Sequence, residues 1–243
     1  MDAVHRSAVL MAACLMGVMA PLHASLSQAR VVAPARASQP LPVTLVPSHI
    51  KGSDLALLIT GDGGYVAADR RLAEALTKSG VRVVARDARA YLSRKHSPDE
   101  AAADAARLLR RSLAAWKRQR VLLIGYSRGA DIMPFIANRL PSALRERVDL
   151  IAMLSPASRA SFKFHWRVLL FDTVRPTDLP VLPELERLRG EQIRCVYGEK
   201  EKEQFCPSLD SGLVHVVERE GSNRIAADDA PELARLILTG RRP

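Results

Sequence analysis

Short runs of apolar residues alternate with longer segments of helical periodicity through most of this chain. The short runs are apolar at nearly every position, which is typical of parallel strands that helices cover on both faces. The predicted strands are Leu55–Thr60, Val81–Ala85, Arg120–Ile124, Val148–Leu154, Gln192–Tyr197 and Leu213–Val217, and the predicted helices are Ala67–Lys78, Pro98–Trp116, Gly129–Leu140 and Pro231–Leu238. This alternation predicts an α/β fold: a mostly parallel sheet between two layers of helices.

Two segments stand outside the alternation. Residues 30–42 are rich in proline and predict a linker, which one short edge strand at Val43–Val46 follows. Residues 156–190 carry several aromatic side chains without strand or helix periodicity. We interpret this second segment as a small cap inserted into a single domain of residues 43–243, because the chain is too short for two ordinary domains.

Residues 1–29 have the parts of a secretory signal peptide. Arg6 gives a basic start, Ala8–Ala20 is apolar, and Ser27 and Ala29 place small residues where a signal peptidase reads them. The apolar stretch is too short to span a membrane. We therefore expect an exported protein of the periplasm.

The net charge of the chain is +10. Cleavage of the predicted signal peptide leaves it unchanged, because Asp2 and Arg6 cancel. A charge of this size favours nucleic acid or an anionic membrane surface as a partner. Export argues against nucleic acid and leaves an anionic phospholipid surface as the expected partner, while an arginine-rich genome explains the charge equally well.

Export also affects the expected oxidation state of the cysteines. Cys14 leaves with the signal peptide, so Cys195 and Cys206 remain as a pair in an oxidising compartment. We expect a disulfide between them, and two buried free thiols are the alternative.

Gly125–Gly129 has the sequence GYSRG and lies directly between a predicted buried strand and a predicted helix. In a nucleophile elbow, a serine at this place is lifted above the edge of the sheet in a strained conformation. The glycines two residues before and after it allow the strand and the helix to pass close together. Ser127 is therefore the candidate nucleophile, and an ordinary tight turn is the alternative.

An elbow needs an oxyanion hole. The backbone N–H of Arg128, directly after the serine, supplies one donor. The loop Gly61–Gly64 follows a predicted strand, so the N–H groups of Gly63 and Gly64 are candidates for the other donor. A phosphate-binding loop would need a Lys and a Ser or Thr that are missing here, and plain turn chemistry is the remaining alternative. No metal site and no cofactor are predicted.

The sequence does not identify a single acid or a single base for a Ser–acid–His triad. Glu199 and Glu201 follow a late predicted strand, where the acid belongs, and a solvated charge run is the alternative. The base belongs after the last predicted strand, but no histidine follows His215, which lies within that strand and is better explained as half-buried. His96 and His165 lie on segments that can reach the carboxyl edge of the sheet and are the candidate substitutes.

The chain resembles the AcvB/VirJ family of exported bacterial virulence proteins over most of its mature length. The segments that carry the resemblance are Gly61–Tyr65, Ser97–Asp104, Gly125–Asp131, Asn138–Pro141, Phe162–His165, Leu182–Leu185, Tyr197–Glu199 and Cys206–Pro207. The sequence departs from the family pattern at two places. Arg128 stands where the family tends to have an aromatic residue, and Gly221–Arg224 (GSNR) stands where the family has Gly-Gly-His-His.

The resemblance implies an α/β-hydrolase fold, a periplasmic location and association with virulence or type IV secretion proteins. It also implies hydrolysis of aminoacylated phosphatidylglycerol, which returns the lipid to its anionic form. Asp62 or Asp131 would then receive the ammonium group of the substrate, although Asp131 is also well placed to complement the N-terminus of its helix. The alternative function is a binding protein that keeps the hydrolase shape without its chemistry.

Overall fold

The computed structural model describes residues 43–163, 175–200 and 204–241. Its strands are β1 (Val43–Val46), β2 (Asp54–Ile59), β3 (Arg82–Arg86), β4 (Arg120–Tyr126), β5 (Val148–Leu154), β6 (Arg159–Ala160), β7 (Leu179–Pro180), β8 (Ile193–Gly198) and β9 (His215–Arg219). Its α-helices are α1 (Ala67–Lys78), α2 (Ala88–Tyr91), α3 (Pro98–Trp116), α4 (Arg128–Asn138), α5 (Ser142–Arg145), α6 (Leu182–Glu186) and α7 (Ala230–Leu238). The predicted signal peptide and linker lie outside the described residues.

Seven of the described strands form one sheet in the order β1–β3–β2–β4–β5–β8–β9. Neighbouring strands in this sheet are parallel, except that the edge strand β1 runs antiparallel to β3. The remaining strands, β6 and β7, form a separate antiparallel pair. The predicted parallel sheet is therefore confirmed, and the carboxyl ends of β2, β4, β5, β8 and β9 share one edge.

The two helical layers follow from the alternation of side chains along each buried strand. In β2, Leu55 and Leu57 belong to a hydrophobic cluster with residues of α3 and α4. The intervening Ala56 and Leu58 belong to a second cluster with residues of α1 and α7. Because both faces of the strand are covered, every residue of β2 is buried.

The start of α3 shows why its sequence forms a helix there. The Ser97 hydroxyl accepts a hydrogen bond from the Glu100 N–H at 3.1 Å, and the Glu100 carboxylate accepts one from the Ser97 N–H at 2.8 Å. Pro98 occupies the first turn, where a missing N–H costs nothing. The helix ends at Trp116, and the next residue, Lys117, adopts a left-handed conformation with φ of 51°.

The last strand begins two residues later than predicted. Leu213 and Val214 are buried, but Leu213 belongs to a turn in which its N–H donates to the Asp210 carbonyl at 2.9 Å. His215 is therefore the first residue of β9, at the amino edge of the sheet, and its side chain is exposed. The expectation of a half-buried histidine near the carboxyl end of this strand is wrong.

The segment interpreted as a cap contains β6, β7 and α6. Its second part belongs to the main core, because Val181, Leu185 and Leu188 are buried in the same hydrophobic cluster as α3 and α4. The Glu184 carboxylate accepts hydrogen bonds from Asn138 and Arg139 at the end of α4. Within the described residues, the inserted part of this segment is thus smaller than residues 156–190.

Candidate active site

Ser127 lies between the end of β4 and the start of α4 with φ of 50° and ψ of −120°. A positive φ is rare for residues with a side chain, and strain of this kind persists where the surrounding structure imposes it. The Ser127 N–H donates to the Leu154 carbonyl at 2.8 Å, and its carbonyl accepts from the N–H groups of Ala130 and Asp131 at 2.7 and 3.0 Å. The backbone of this serine is therefore held on both sides.

Gly125 and Gly129 leave no room for a side chain. A Cβ on Gly125 would lie 2.4 Å from the Gly129 carbonyl oxygen, and a Cβ on Gly129 would lie 2.1 Å from the Ile59 carbonyl oxygen. Both distances are far shorter than a van der Waals contact. The two glycines thus permit the close crossing of β2, β4 and α4 that a nucleophile elbow requires.

The loop after β2 contacts the serine directly, since a Cβ on Gly61 would lie 3.1 Å from the Ser127 Cβ. In the part of the chain that the structure describes, the Ser127 hydroxyl makes no hydrogen bond, and the amides of Asp62, Gly63 and Arg128 donate to no acceptor. The Gly64 N–H is already used, because it donates to the Gly61 carbonyl at 3.1 Å. Of the two glycines predicted for the oxyanion hole, the structure therefore leaves Gly63 available.

Arg128 and Asp62 form an ion pair with two parallel hydrogen bonds. The Arg128 Nε and Nη2 atoms each lie 2.9 Å from an oxygen of the Asp62 carboxylate. Burial lowers the pKa of Arg128, but hydrogen bonding to Asp62 and its charge outweigh burial and raise it. The Asp62 carboxylate, predicted to receive a substrate ammonium group, is thus occupied by a side chain of the protein itself.

Asp131 is also engaged within the protein. Its side chain is buried, and its Oδ1 atom accepts a hydrogen bond from the Ala157 N–H at 2.7 Å. This contact joins the first turn of α4 to the segment after β5. The arrangement favours a role in holding that segment over a role in binding substrate.

Glu199 lies directly after β8 and is exposed. Its Oε1 atom is 3.5 Å from the Gly221 nitrogen, and its own N–H donates to the Arg219 carbonyl at 3.0 Å. Glu199 therefore contacts the loop after β9, which is where the base of a Ser–acid–His triad is expected. Glu201 lies outside the described residues.

The described residues bring no imidazole into hydrogen-bond contact with Ser127. The His96 Nε2 atom lies 3.0 Å from the Tyr91 carbonyl oxygen, and the His96 ring stacks on the Tyr91 ring at a centroid distance of 4.1 Å. His215 lies at the opposite edge of the sheet. His165 lies outside the described residues, so it stays a prediction.

The comparison with protein families decides the classification of the chain. A family model described as bacterial virulence protein (VirJ) matches residues 53–242. The chain belongs to the VirJ family. The comparison of this VirJ-family chain with curated proteins finds no match.

Solved structures show the same fold. A thioesterase domain from the curacin biosynthetic pathway matches with a TM-score of 0.54 and 15% identity, covering 83% of this chain and 100% of that chain. An α/β serine hydrolase homologue from Coxiella burnetii matches with a TM-score of 0.55 and 17% identity, covering 81% and 89%. Est1E from Butyrivibrio proteoclasticus matches with a TM-score of 0.54 and 13% identity, covering 79% and 90%. The VirJ-family chain therefore has the α/β-hydrolase fold.

Cys195 and Cys206 form a disulfide in the VirJ-family protein. Cys195 lies within β8 and Cys206 in a short 3₁₀ turn, and both are fully buried. The bond closes the loop that follows β8. The segment that begins at Glu199 is thereby fastened at both ends.

Sequence reasoning missed two acidic residues beside the loop Gly61–Gly64, which we call the oxyanion loop. Asp69, in the first turn of α1, is buried and accepts a hydrogen bond from the Val66 N–H at 3.1 Å. Burial raises the pKa of Asp69 from 3.8 to about 6. Asp87 accepts hydrogen bonds from the N–H groups of Tyr65 and Ala90 at 3.1 and 2.9 Å. An acidic residue in the first turn of a helix is the only sequence signal that points to Asp69.

The described residues contain no group of three or more His, Cys, Asp or Glu side chains that could hold a metal ion. None of their helices combines the length and the apolar character needed to cross a membrane.

Proposed function

We propose that this VirJ-family protein is a serine ester hydrolase of the periplasm. Its proposed substrate is the aminoacyl ester of aminoacylated phosphatidylglycerol. The observation that carries the proposal is the strained Ser127. Among the described residues its hydroxyl makes no hydrogen bond, and the amides of Asp62 and Gly63 in the neighbouring loop donate to no acceptor. Strain of this kind is commonly retained for a mechanistic purpose. Family membership and the hydrolase fold support the reaction class, and the predicted signal peptide supports the location.

In the proposed reaction, the Ser127 Oγ attacks the carbonyl carbon of the ester. The N–H group of Arg128, with that of Gly63 or Asp62, stabilises the negative charge on the carbonyl oxygen of the tetrahedral intermediate. The intermediate collapses to an aminoacyl-enzyme, and the phosphatidylglycerol hydroxyl leaves with a proton. Water then hydrolyses the aminoacyl-enzyme and restores Ser127.

The proton of Ser127 needs an acceptor during the attack, because a serine that keeps its proton is a poor nucleophile. His165 is the proposed base, and Glu199 or Glu201 the proposed acid that orients it. In serine hydrolases with an incomplete triad, binding and the oxyanion hole still provide about 10³–10⁴-fold catalysis over water. Slow turnover is therefore expected even where the base is poorly placed.

The test is labelling of the mature protein by a fluorophosphonate probe, with Ser127→Ala as the control. We expect labelling of the wild type and none of the variant. A second arm measures release of amino acid from vesicles containing lysyl- or alanyl-phosphatidylglycerol. The proposal fails if the wild type neither reacts with the probe nor releases either amino acid.

One observation favours a second function. Asn223 lies where the resemblance to the family implies a histidine, and its side chain accepts a hydrogen bond from the Gly198 N–H. A protein with this change is suited to bind anionic phospholipid or a secretion-system protein without turnover. Saturable binding to anionic vesicles, equal in the wild type and in Ser127→Ala, together with no labelling, would support this function.

A further inference from the structure

The ion pair between Arg128 and Asp62 joins two parts of the site that are 66 residues apart in the chain. Arg128 directly follows the nucleophile, and Asp62 lies in the loop after β2 that contacts Ser127. Only 11% of the Arg128 side chain and 19% of the Asp62 side chain is exposed. A paired, two-pronged contact between a guanidinium and a carboxylate is among the stronger and more directional polar interactions in proteins.

Packing alone does not explain this pair. Burying two charges costs several kcal/mol per ion before their attraction repays it, and apolar residues of similar volume often do as well or better. An apolar pair, however, would not fix the relative orientation of the two side chains. The planar carboxylate accepts both hydrogen bonds only over a narrow range of orientations relative to the guanidinium, which restricts how the Asp62 loop can lie against α4.

The ion pair affects the position of the backbone amides beside Ser127. The amides of Asp62 and Gly63 donate to no acceptor among the described residues, and neither does the amide of Arg128. All of these donors belong to the segments that the ion pair joins. Fixing the loop after β2 against the start of α4 therefore fixes the distances and angles between these N–H donors.

We propose that Arg128 and Asp62 are positioning residues whose ion pair locks the oxyanion loop onto the nucleophile elbow. The inference rests on the proposed esterase function. It assigns the Asp62 carboxylate to the protein framework, so the ammonium group of an aminoacyl substrate binds elsewhere. Loss of the pair slows turnover of any ester, with or without an ammonium group.

The test compares two p-nitrophenyl esters of nearly equal shape, those of alanine and of isobutyric acid. Only the alanine ester carries an ammonium group. In Asp62→Asn and in Arg128→Gln we expect kcat to fall between about tenfold and a hundredfold on both esters, since a misplacement of about 1 Å can cost about 10²-fold. KM changes by less than about twofold. Arg128→Lys, which keeps the charge, recovers part of the loss.

The double variant Asp62→Asn/Arg128→Gln distinguishes a shared function from two separate ones. If the two residues act only through each other, the double variant is no slower than either single variant. Multiplied losses would overturn the proposal. A loss confined to the alanine ester would overturn it too, because Asp62 would then bind the ammonium group.

Glu184→Gln provides a matched control. Glu184 accepts two hydrogen bonds from Arg139 at 3.0 Å each, so the same type of pair exists at the far end of α4. We expect this variant to unfold at a lower temperature without a change in kcat. If Glu184→Gln slows turnover as much as Asp62→Asn does, the effect is one of general stability and the proposal fails.

A second measurement tests the ion pair without relying on esterase activity. The Gly64 N–H closes the oxyanion loop on the Gly61 carbonyl, so its hydrogen exchange reports whether the loop is fixed. We expect faster exchange in Asp62→Asn and Arg128→Gln than in Glu184→Gln. If the wild type is inactive on both esters and towards the probe, the proposed function fails, while the exchange rates still support or overturn the locking of the loop.

Discussion

The side-chain oxygen of Asn223 accepts a hydrogen bond from the Gly198 N–H at 2.9 Å, which ties the loop after β9 to the end of β8. The backbone carbonyl of Asn223 lies 3.1 Å from the Ser155 hydroxyl and 3.4 Å from the Tyr126 hydroxyl. These contacts hold residue 223 near the ends of β4, β5 and β8. Residue 223 therefore lies at the carboxyl edge of the sheet, where its backbone contacts the side chain of Tyr126, the last residue before the nucleophile.

Asn223→His should increase the reactivity of Ser127. An imidazole at this position, with an unperturbed pKa near 6.5, would accept the serine proton. We expect the rate of fluorophosphonate labelling to rise at least about tenfold above pH 7 and to fall as the pH is lowered through about 6.5. Asn223→Ala is the control, since it loses the same hydrogen bond to Gly198, at about 1 kcal/mol, without adding a base. Equal rates in the two variants would contradict this prediction.

Ser127→Gly should be more stable than Ser127→Ala. Both variants lack the nucleophile, but only glycine adopts a φ of 50° without strain, and such strain costs about 1–3 kcal/mol. We expect Ser127→Gly to have the higher free energy of unfolding by about 1 kcal/mol in urea titrations. Ala103→Gly, on the exposed face of α3, is the control. There the same exchange of alanine for glycine should lower the free energy of unfolding by about 1 kcal/mol. Equal stability of the two Ser127 variants would show that the backbone at the elbow is unstrained.

Much of the fold could be predicted because its causes are local. Fully apolar runs such as Leu55–Ile59 specify buried parallel strands, and Ser97 with Glu100 specifies the start of α3. The glycines at 125 and 129 predict the elbow because only residues without a Cβ allow that crossing. These signals each lie within a few residues of the element that they specify.

The contacts of the site could not be predicted, because they join residues far apart in the chain. Apolar periodicity carries no information on which charged side chains meet, so it leaves Asp62 and Asp131 as alternative partners of a substrate ammonium group and does not show that Arg128 pairs with Asp62. The pairing of Asn223 with Gly198 spans 25 residues and depends on the order of the strands. The apolar pattern places the start of β9 two residues too early, because Leu213 and Val214 are buried in a turn and burial alone does not distinguish a turn from a strand.

Asp69→Asn should stabilise the protein at neutral pH and not at acidic pH. Burial raises the pKa of Asp69 to about 6 in the folded protein, whereas the unfolded value is 3.8. The folded state therefore binds more protons between these values, and the free energy of unfolding falls as the pH rises from about 4 to 6. Asparagine stays neutral and keeps an oxygen that can accept from the Val66 N–H.

We expect Asp69→Asn to exceed the wild type by about 2–3 kcal/mol at pH 7 and to equal it below pH 4, as a pKa change of this size implies. Urea titrations at pH 4 and pH 7 measure the difference. Glu74→Gln on the same helix is the control, because it makes the same change from carboxylate to amide at an exposed position. A difference that is the same at both pH values would mean that folding does not raise the pKa of Asp69.

Arg86→Met should leave the protein as stable as the wild type or more stable. Arg86 is fully buried at the end of β3, and within the described part of the chain none of its guanidinium nitrogens has a hydrogen-bond partner. Its Cζ atom lies 4.4 Å from the centroid of the Tyr91 ring, and burial lowers its pKa. Even a buried ion pair can often be replaced by apolar side chains of similar size at no cost or with a gain of about 1–4 kcal/mol, and the guanidinium of Arg86 lacks a hydrogen-bonded partner among the described residues. Methionine also keeps the contact with the ring.

Arg86→Ala separates the charge from the packing. It removes the same charge but leaves a cavity under Tyr91, so we expect a loss of about 2–4 kcal/mol relative to Arg86→Met. Thermal and urea unfolding of the two variants beside the wild type measure both effects. A marked loss of stability in Arg86→Met would instead show that the attraction between the guanidinium and the Tyr91 ring exceeds the cost of burying the charge.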